Sequence, residues 1–174
     1  MTDNTGAMSD FRRHQKPRGR LLLRLMSFYP PYLGAGVRVR VSPDLRTFQV
    51  RMKLTFWNRN YVGTHFGGSL YTMCDPFFML ILVEALGRQY IVWDKAASIR
   101  FRRPGKGTVH ATFHIPQERV DEIRAAADRD GKTEPVFQVQ VLDEQGEVVA
   151  EVEKRLYVRR KDAEPALASP RPAR

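Results

Sequence analysis

The sequence predicts an α+β domain in which a curved antiparallel β-sheet wraps one long, strongly apolar central helix. Three observations predict it. Residues 77–83 form an unbroken apolar run inside a longer helical stretch, and five or six other segments alternate apolar and polar residues with a period of two. The chain has 174 residues and 43% hydrophobic content, enough for one core without disulfides or metals.

The elements follow in order. Leu21, Leu22, Leu25 and Phe28 are spaced for a short amphipathic helix over 21–28, with Pro30 and Pro31 expected to stop it. Residues 37–41 and 48–54 alternate and predict two strands, joined by a turn at Ser42, Pro43 and Asp44. A polar loop around Asn60 then feeds an apolar helix ending at Leu86, with Gly87 placed as its C-cap. Residues 91–93, 97–102 and 109–115 predict further strands, the last two separated by a turn at 104–107. Residues 117–130 read as an amphipathic helix on the sheet's outer side or rim, with Val120, Ile123 and Ala127 on one face and Gly131 just beyond its end. Residues 136–142 and 148–158 predict a hairpin around Asp143 and Gly146.

Formal net charge is +10, and most of it lies at the ends. Residues 1–24 carry six Lys/Arg against two acids and residues 159–174 five against two, together +7, leaving the centre at +3. Both ends are rich in Pro, Arg and small polar residues, so 1–19 and 161–174 are expected to be disordered tails around a domain at 20–160. No helix-turn-helix, aromatic RNA-binding signature or metal finger accompanies the charge, so no specific nucleic-acid partner is expected. The lone Cys74 excludes an intrachain disulfide, and its apolar setting favours a buried, inert thiol. Arg24 interrupts the only leucine run near the N-terminus, and the 77–83 run is too short to span a bilayer, so no transmembrane segment and a cytoplasmic location are expected.

Asn60, Gly63, Gly67, Gly68 and Asp75 stand out because they join a glycine-bearing polar loop to an apolar helix that contains one carboxylate. Two glycines at a helix start let backbone N–H groups approach a polarised carbonyl oxygen. At these spacings the motif resembles the hotdog-fold acyl-CoA thioesterases of the phenylacetic-acid type, except that Phe66 stands where that branch has His and His65 lies one place early. The run from Phe66 to Tyr71 followed by Asp75 and Pro76 is more similar to the DUF4442 branch of the same fold.

The resemblance implies a hotdog domain that self-associates to a dimer or tetramer and hydrolyses acyl-CoA thioesters. Asp75 would act as base or nucleophile, Gly68 would stabilise the oxyanion, and Asn60 would position carbonyl or water. His65, Phe66, Gly67 and Tyr71 are expected around the substrate. On local signals alone Asp75 caps a helix beginning at Pro76, whereas the resemblance has the helix start near Gly68 and bend through Pro76, freeing a carbonyl near Thr72. Asn60 is also an ordinary turn residue, and His65 either donates to the substrate or fastens the loop. Arg100, Arg102, Arg103 and Lys106 form a basic group; Arg103 and Lys106, nearer the turn, are the candidates for gripping coenzyme A phosphates, against a plain wet strand face. His110 and His114 are about 13 Å apart along a strand at about 3.3 Å per residue, too far to share a metal. Neither metal nor cofactor is expected beyond the coenzyme A of the substrate. The competing expectation is a hotdog protein that binds acyl-CoA or another lipid without turning it over.

Overall fold

The computed structural model describes Leu21 and residues 23–162. The expected disordered tails lie outside these residues, save Lys161 and Asp162, which form a turn. Pro30 and Pro31 begin a helix, α1 (Pro30–Ala35), rather than stopping one. Proline's fixed φ suits a first helical turn, where the missing N–H has no partner to lose. A 3-10 turn, Met26–Phe28, precedes it and is fastened to the next strand through Ser27, whose Oγ accepts from the Val39 N–H at 2.8 Å.

The strands are β1 (Val37–Val41), β2 (Thr47–Lys53), β3 (Tyr90–Phe101), β4 (Thr108–His114), β5 (Lys132–Thr133), β6 (Val136–Leu142) and β7 (Val148–Arg160). They form one antiparallel sheet in the order β1-β2-β4-β6-β7-β3, with β5 added to β7. The alternation expected from sequence appears as burial: Val37, Val39, Phe48, Val50, Met52, Val109, Ala111 and Phe113 all face the core. Apart from the two-residue β5, the ladder is long except between β4 and β6, where His110 opposite Leu142 is the one registered pair.

β3 corrects the expectation of two strands at 91–93 and 97–102. It is a single strand with a register shift between Asp94 and Ala96. The polar Asp94 and Lys95 look like a break in the sequence, but a bulge absorbs the extra residue and keeps the pairing with β7 on both sides.

The central helix is in two pieces, α2 (Gly67–Thr72) and α3 (Phe77–Leu86). It begins at the glycines, as the resemblance implies, but does not continue through Pro76, which has no N–H to give and whose peptide bond with Asp75 is cis. Nor is the Thr72 carbonyl free, since it accepts from the Asp75 N–H at 3.3 Å. Asp75 makes no capping bond to α3. Phe77 packs its ring against Phe48 and Phe113 at centroid distances of 5.3 and 4.8 Å. Phe78 bridges Phe113 on β4 and Phe137 on β6 at 5.2 and 4.8 Å. Each such buried ring contributes about 1.5–3 kcal/mol by removal from water.

The remaining helix, α4 (Gln117–Asp130), buries Val120, Ile123 and Ala127. It lies at the rim, against the end of α3, where Arg124 donates to the carbonyls of Ala85 and Leu86 at 2.9 and 3.3 Å and so satisfies the last turn. By length and composition Gly67–Leu86 is apolar enough to cross a membrane. In the fold it is the broken helix at the centre of the core.

Candidate active site

Two asparagines build the loop between β2 and α2. Buried Asn58 accepts from the Thr55 N–H at 2.7 Å and donates to the carbonyls of Ala35 and Lys53 at 2.9 and 2.8 Å, tying the loop to α1 and β2. Asn60 accepts from the N–H groups of Val62 and Thr64 at 3.1 and 3.0 Å and donates to Thr64 Oγ1 and the His65 carbonyl at 2.9 and 3.2 Å. Its amide is thus spent on shaping the loop.

His65 is 3% exposed and fastens this loop to the one between β3 and β4. Its N–H donates to the Gly105 carbonyl at 3.0 Å, and Nε2 lies 3.1 Å from the Gly107 carbonyl. A carbonyl only accepts, so Nε2 carries the proton and Nδ1 is left bare, buried without a partner. Burial holds the ring's pKa below its usual value, with the Gly107 bond opposing weakly.

Phe66 caps α2 with its backbone and is 58% exposed. A Cβ on Gly68 would come within 2.5 Å of that ring, and one on Gly67 within 3.0 Å of the Phe101 ring. Glycine at both positions lets the two aromatics close over the helix start. Beside them a groove of about 420 Å³ is lined by Pro31, Gly34, Trp57, Asn60, Gly68 and Thr72. A hollow of similar size on the outer sheet face, among Arg38, Arg40, Arg51 and His110, lies on other elements than the motif.

Asp75, in the break between α2 and α3, is held at two points. Its main-chain carbonyl accepts from the Tyr32 hydroxyl, and its Oδ1 accepts from the Lys154 ammonium. Lys154 is 1% exposed, while the Asp75 side chain is 41% exposed. The same ammonium reaches Asp94 Oδ2 at 3.1 Å and donates to the Tyr71 hydroxyl at 3.2 Å. Burial opposes the charge on Lys154, but the bonds to Asp75 and Tyr71 and the two nearby carboxylates outweigh it and raise its pKa. Burial raises the pKa of Asp94 and so does the neighbouring Asp75 carboxylate, with the charge and hydrogen bond of Lys154 pulling the other way. Asp94 Oδ1 is buried without a partner. Two carboxylates thus share one ammonium.

The other candidates fall elsewhere. Arg103 is drawn to the turn between β6 and β7, pairing with Glu147 and Asp143 and donating to the Val148 carbonyl at 3.2 Å. Arg102 pairs with Glu151 at 2.5 Å. Lys106 is exposed on the loop that His65 fastens. Cys74 is buried, and its thiol is pushed up to about 12 by desolvation. His110 and His114 point outward from β4, with His114 Nδ1 2.9 Å from Thr47 Oγ1. Among the described residues no three His, Cys, Asp or Glu side chains converge as a metal site.

The structure therefore joins Asp75 and Tyr71 through Lys154 and sets Asp94 and Tyr32 around them, three residues the sequence did not single out. One signal was available. On β7, Ala150, Val152, Leu156 and Val158 are all core-facing, and the period of two puts Lys154 in the same row.

In sequence, the family model described as a domain of unknown function, DUF4442, matches residues 18–158. No curated protein matches the chain. Among solved structures, the Pseudomonas aeruginosa protein PA5026, of unknown function and named a probable thioesterase, is 26% identical, with a TM-score of 0.72 over 84% of this chain and 98% of that one. The Haemophilus influenzae thioesterase HI1161 superimposes with a TM-score of 0.57 at 13% identity, over 83% of this chain and 92% of that one. The PaaI protein of the Escherichia coli phenylacetic acid degradation operon does so with a TM-score of 0.54 at 16% identity, over 84% and 96%. The fold they share with this chain is the hotdog: an antiparallel sheet curled around a central helix.

Proposed function

Because the chain belongs to the DUF4442 family, we propose that it is a thioester hydrolase acting on acyl-CoA. The single observation carrying this reading is Asp75: a half-exposed carboxylate in a helix break, with Oδ1 held by a buried lysine. The thioesterase names of PA5026 and HI1161 support the reaction class.

In this reading the Oδ2 side of Asp75 either takes a proton from water or attacks the thioester carbonyl carbon itself, breaking the C–S bond to expel CoA thiolate and leave a mixed anhydride that water then hydrolyses. With water, the oxygen bonds to the carbonyl carbon, the C–S bond breaks, and the thiolate leaves to become free CoA thiol as the acid is released. The Gly68 N–H would steady the oxygen that gains charge. Gly68 and Asp75 lie about two helical turns apart in one chain, at about 1.5 Å per residue, so the pair that flanks one carbonyl comes from two subunits. β3 supports that assembly: it is a twelve-residue edge strand whose Ala96, Ala97 and Ser98 are exposed. The groove beside Gly68 and Asn60 would take the pantetheine arm or the acyl chain.

Two observations favour a second reading, a hotdog protein that holds acyl-CoA or another lipid without hydrolysis. Phe66 replaces the histidine of the phenylacetic-acid-type motif, and the Asn60 amide is occupied within its loop. The deciding experiment is release of CoA thiol from short, medium, long and aromatic acyl-CoAs by wild type and Asp75→Asn. Saturable release abolished by the substitution supports the hydrolase. Tight binding with no release by wild type sinks it and leaves the binder.

A further inference from the structure

We propose that Lys154 is the positioning residue for Asp75, and that Asp94 is the counter-charge that keeps Asp75 usable while it is held. This rests on the hydrolase reading and adds to it.

The argument starts from the strand. Lys154 occupies a core row of β7 between Val152 and Leu156, both fully buried, where an apolar side chain would cost nothing in desolvation. An ammonium has three N–H donors. Here three acceptors surround it: Asp75 Oδ1, Asp94 Oδ2 at 3.1 Å and Tyr71 Oη at 3.2 Å. No donor is left over for a substrate. Lys154 therefore acts through Asp75 and does not touch the reacting atoms.

Holding Asp75 by Oδ1, with its carbonyl held by Tyr32, fixes the direction of Oδ2. A one-to-one pair with lysine would also quench the carboxylate. Asp94 offsets this by taking part of the same ammonium, so the pairing with Asp75 is not one-to-one. Strand alternation supplies this second carboxylate: Val92 stands opposite the buried Val158 and Asp94 opposite the buried Leu156, so Asp94 falls on the core face just before the register shifts. The residue opposite Lys154 is Ala97, small and exposed in the single chain, on the edge where a second copy would meet this one. A cluster serving only the fold has no need of the second carboxylate, since buried ion groups are commonly replaceable by apolar side chains without loss of stability.

The test uses the full chain and the acyl-CoA that wild type turns over best, comparing Lys154→Met and Asp94→Asn. Lys154→Met is expected to lower kcat about 100-fold, the scale of a small misplacement of a reacting group, with KM changed less than about twofold because substrate binding is untouched. Asp94→Asn keeps an oxygen acceptor for Lys154 but removes the charge; kcat is expected to fall about tenfold at unchanged KM and melting temperature, against the roughly 1.4 kcal/mol scale of a tenfold effect. If Lys154→Met does not fold, Asp94→Asn decides alone. A kcat within about threefold of wild type in the folded variants, or a loss carried by KM, overturns the positioning role while leaving the hydrolase intact. A wild type that releases no thiol from any acyl-CoA overturns both.

Discussion

The Tyr32 hydroxyl donates to the main-chain carbonyl of Asp75, so the first helix of the domain is latched to the break in the central one. Tyr32 is almost fully buried, and its ring stacks near Phe77 at a centroid distance of 6.0 Å. Removing the hydroxyl leaves that carbonyl without its partner. Tyr32→Phe is expected to cost about 1–3 kcal/mol, the penalty for an unsatisfied buried polar group. Urea unfolding of wild type and variant measures it; equal midpoints would mean that the latch carries no stability.

Asn58 makes four side-chain bonds to three residues from inside the protein. Asn58→Ala is expected to destabilise by about 2–4 kcal/mol, since at net values near 1 kcal/mol each several bonds are lost together. Asn58→Asp keeps the acceptor toward Thr55 but turns a carboxylate oxygen toward the carbonyls of Ala35 and Lys53, so it is expected to be no better tolerated. Thermal melts of the three proteins check the order.

His65 makes stability depend on pH. Its folded pKa lies below the usual 6.5, so the folded state resists the proton that the unfolded chain accepts. The stability it contributes is complete above pH 6.5 and is lost as pH falls from there toward the folded pKa, at no more than about 1.4 kcal/mol per pH unit for one group. Chemical denaturation between pH 8 and 5 shows the slope. An imidazole NMR signal for His65 that titrates at or above 6.5 would contradict it.

The exposed edge of β3 gives a test of assembly. Ala96→Glu with Ser98→Glu places like charges along the strand where two copies would meet, and like charges across paired strands repel. Wild type is expected to sediment as a dimer or tetramer and the double variant as a monomer with thiol release lost. A variant that stays assembled would place the subunit contact elsewhere.

Much of the fold was legible because strand and helix periods write themselves into the sequence. β1, β2, β4, β6, β7 and the helix at Gln117–Asp130 stand within a residue or two of the alternating and amphipathic segments that predict them. β3 was harder, since a bulge puts two polar residues inside one strand and the local signal for that is the same as for a loop. At the site, Asp75 and the glycines are contiguous enough to be seen in sequence. Lys154 is 79 residues from Asp75 and is flanked by Glu153 and Arg155, so three charges in a row disguise an inward-facing one. Arg103 shows the opposite case: its neighbours suggested an anion grip, and acids brought in by a distant hairpin took it instead.

The lone registered pair between β4 and β6, His110 with Leu142, divides the sheet into two leaves. One holds β1, β2 and β4, the other β6, β7 and β3, and the Phe78 ring, in contact with Phe113 and Phe137, clasps them. Cooperative units of this kind open separately when their junction is weaker than their interiors. Native-state hydrogen exchange should then resolve two protection classes along this line, with Lys154 and Asp94 in one leaf and the loop that carries the glycines anchored through Asn58 to the other, so that breathing at the seam changes the distance between the two halves of the site.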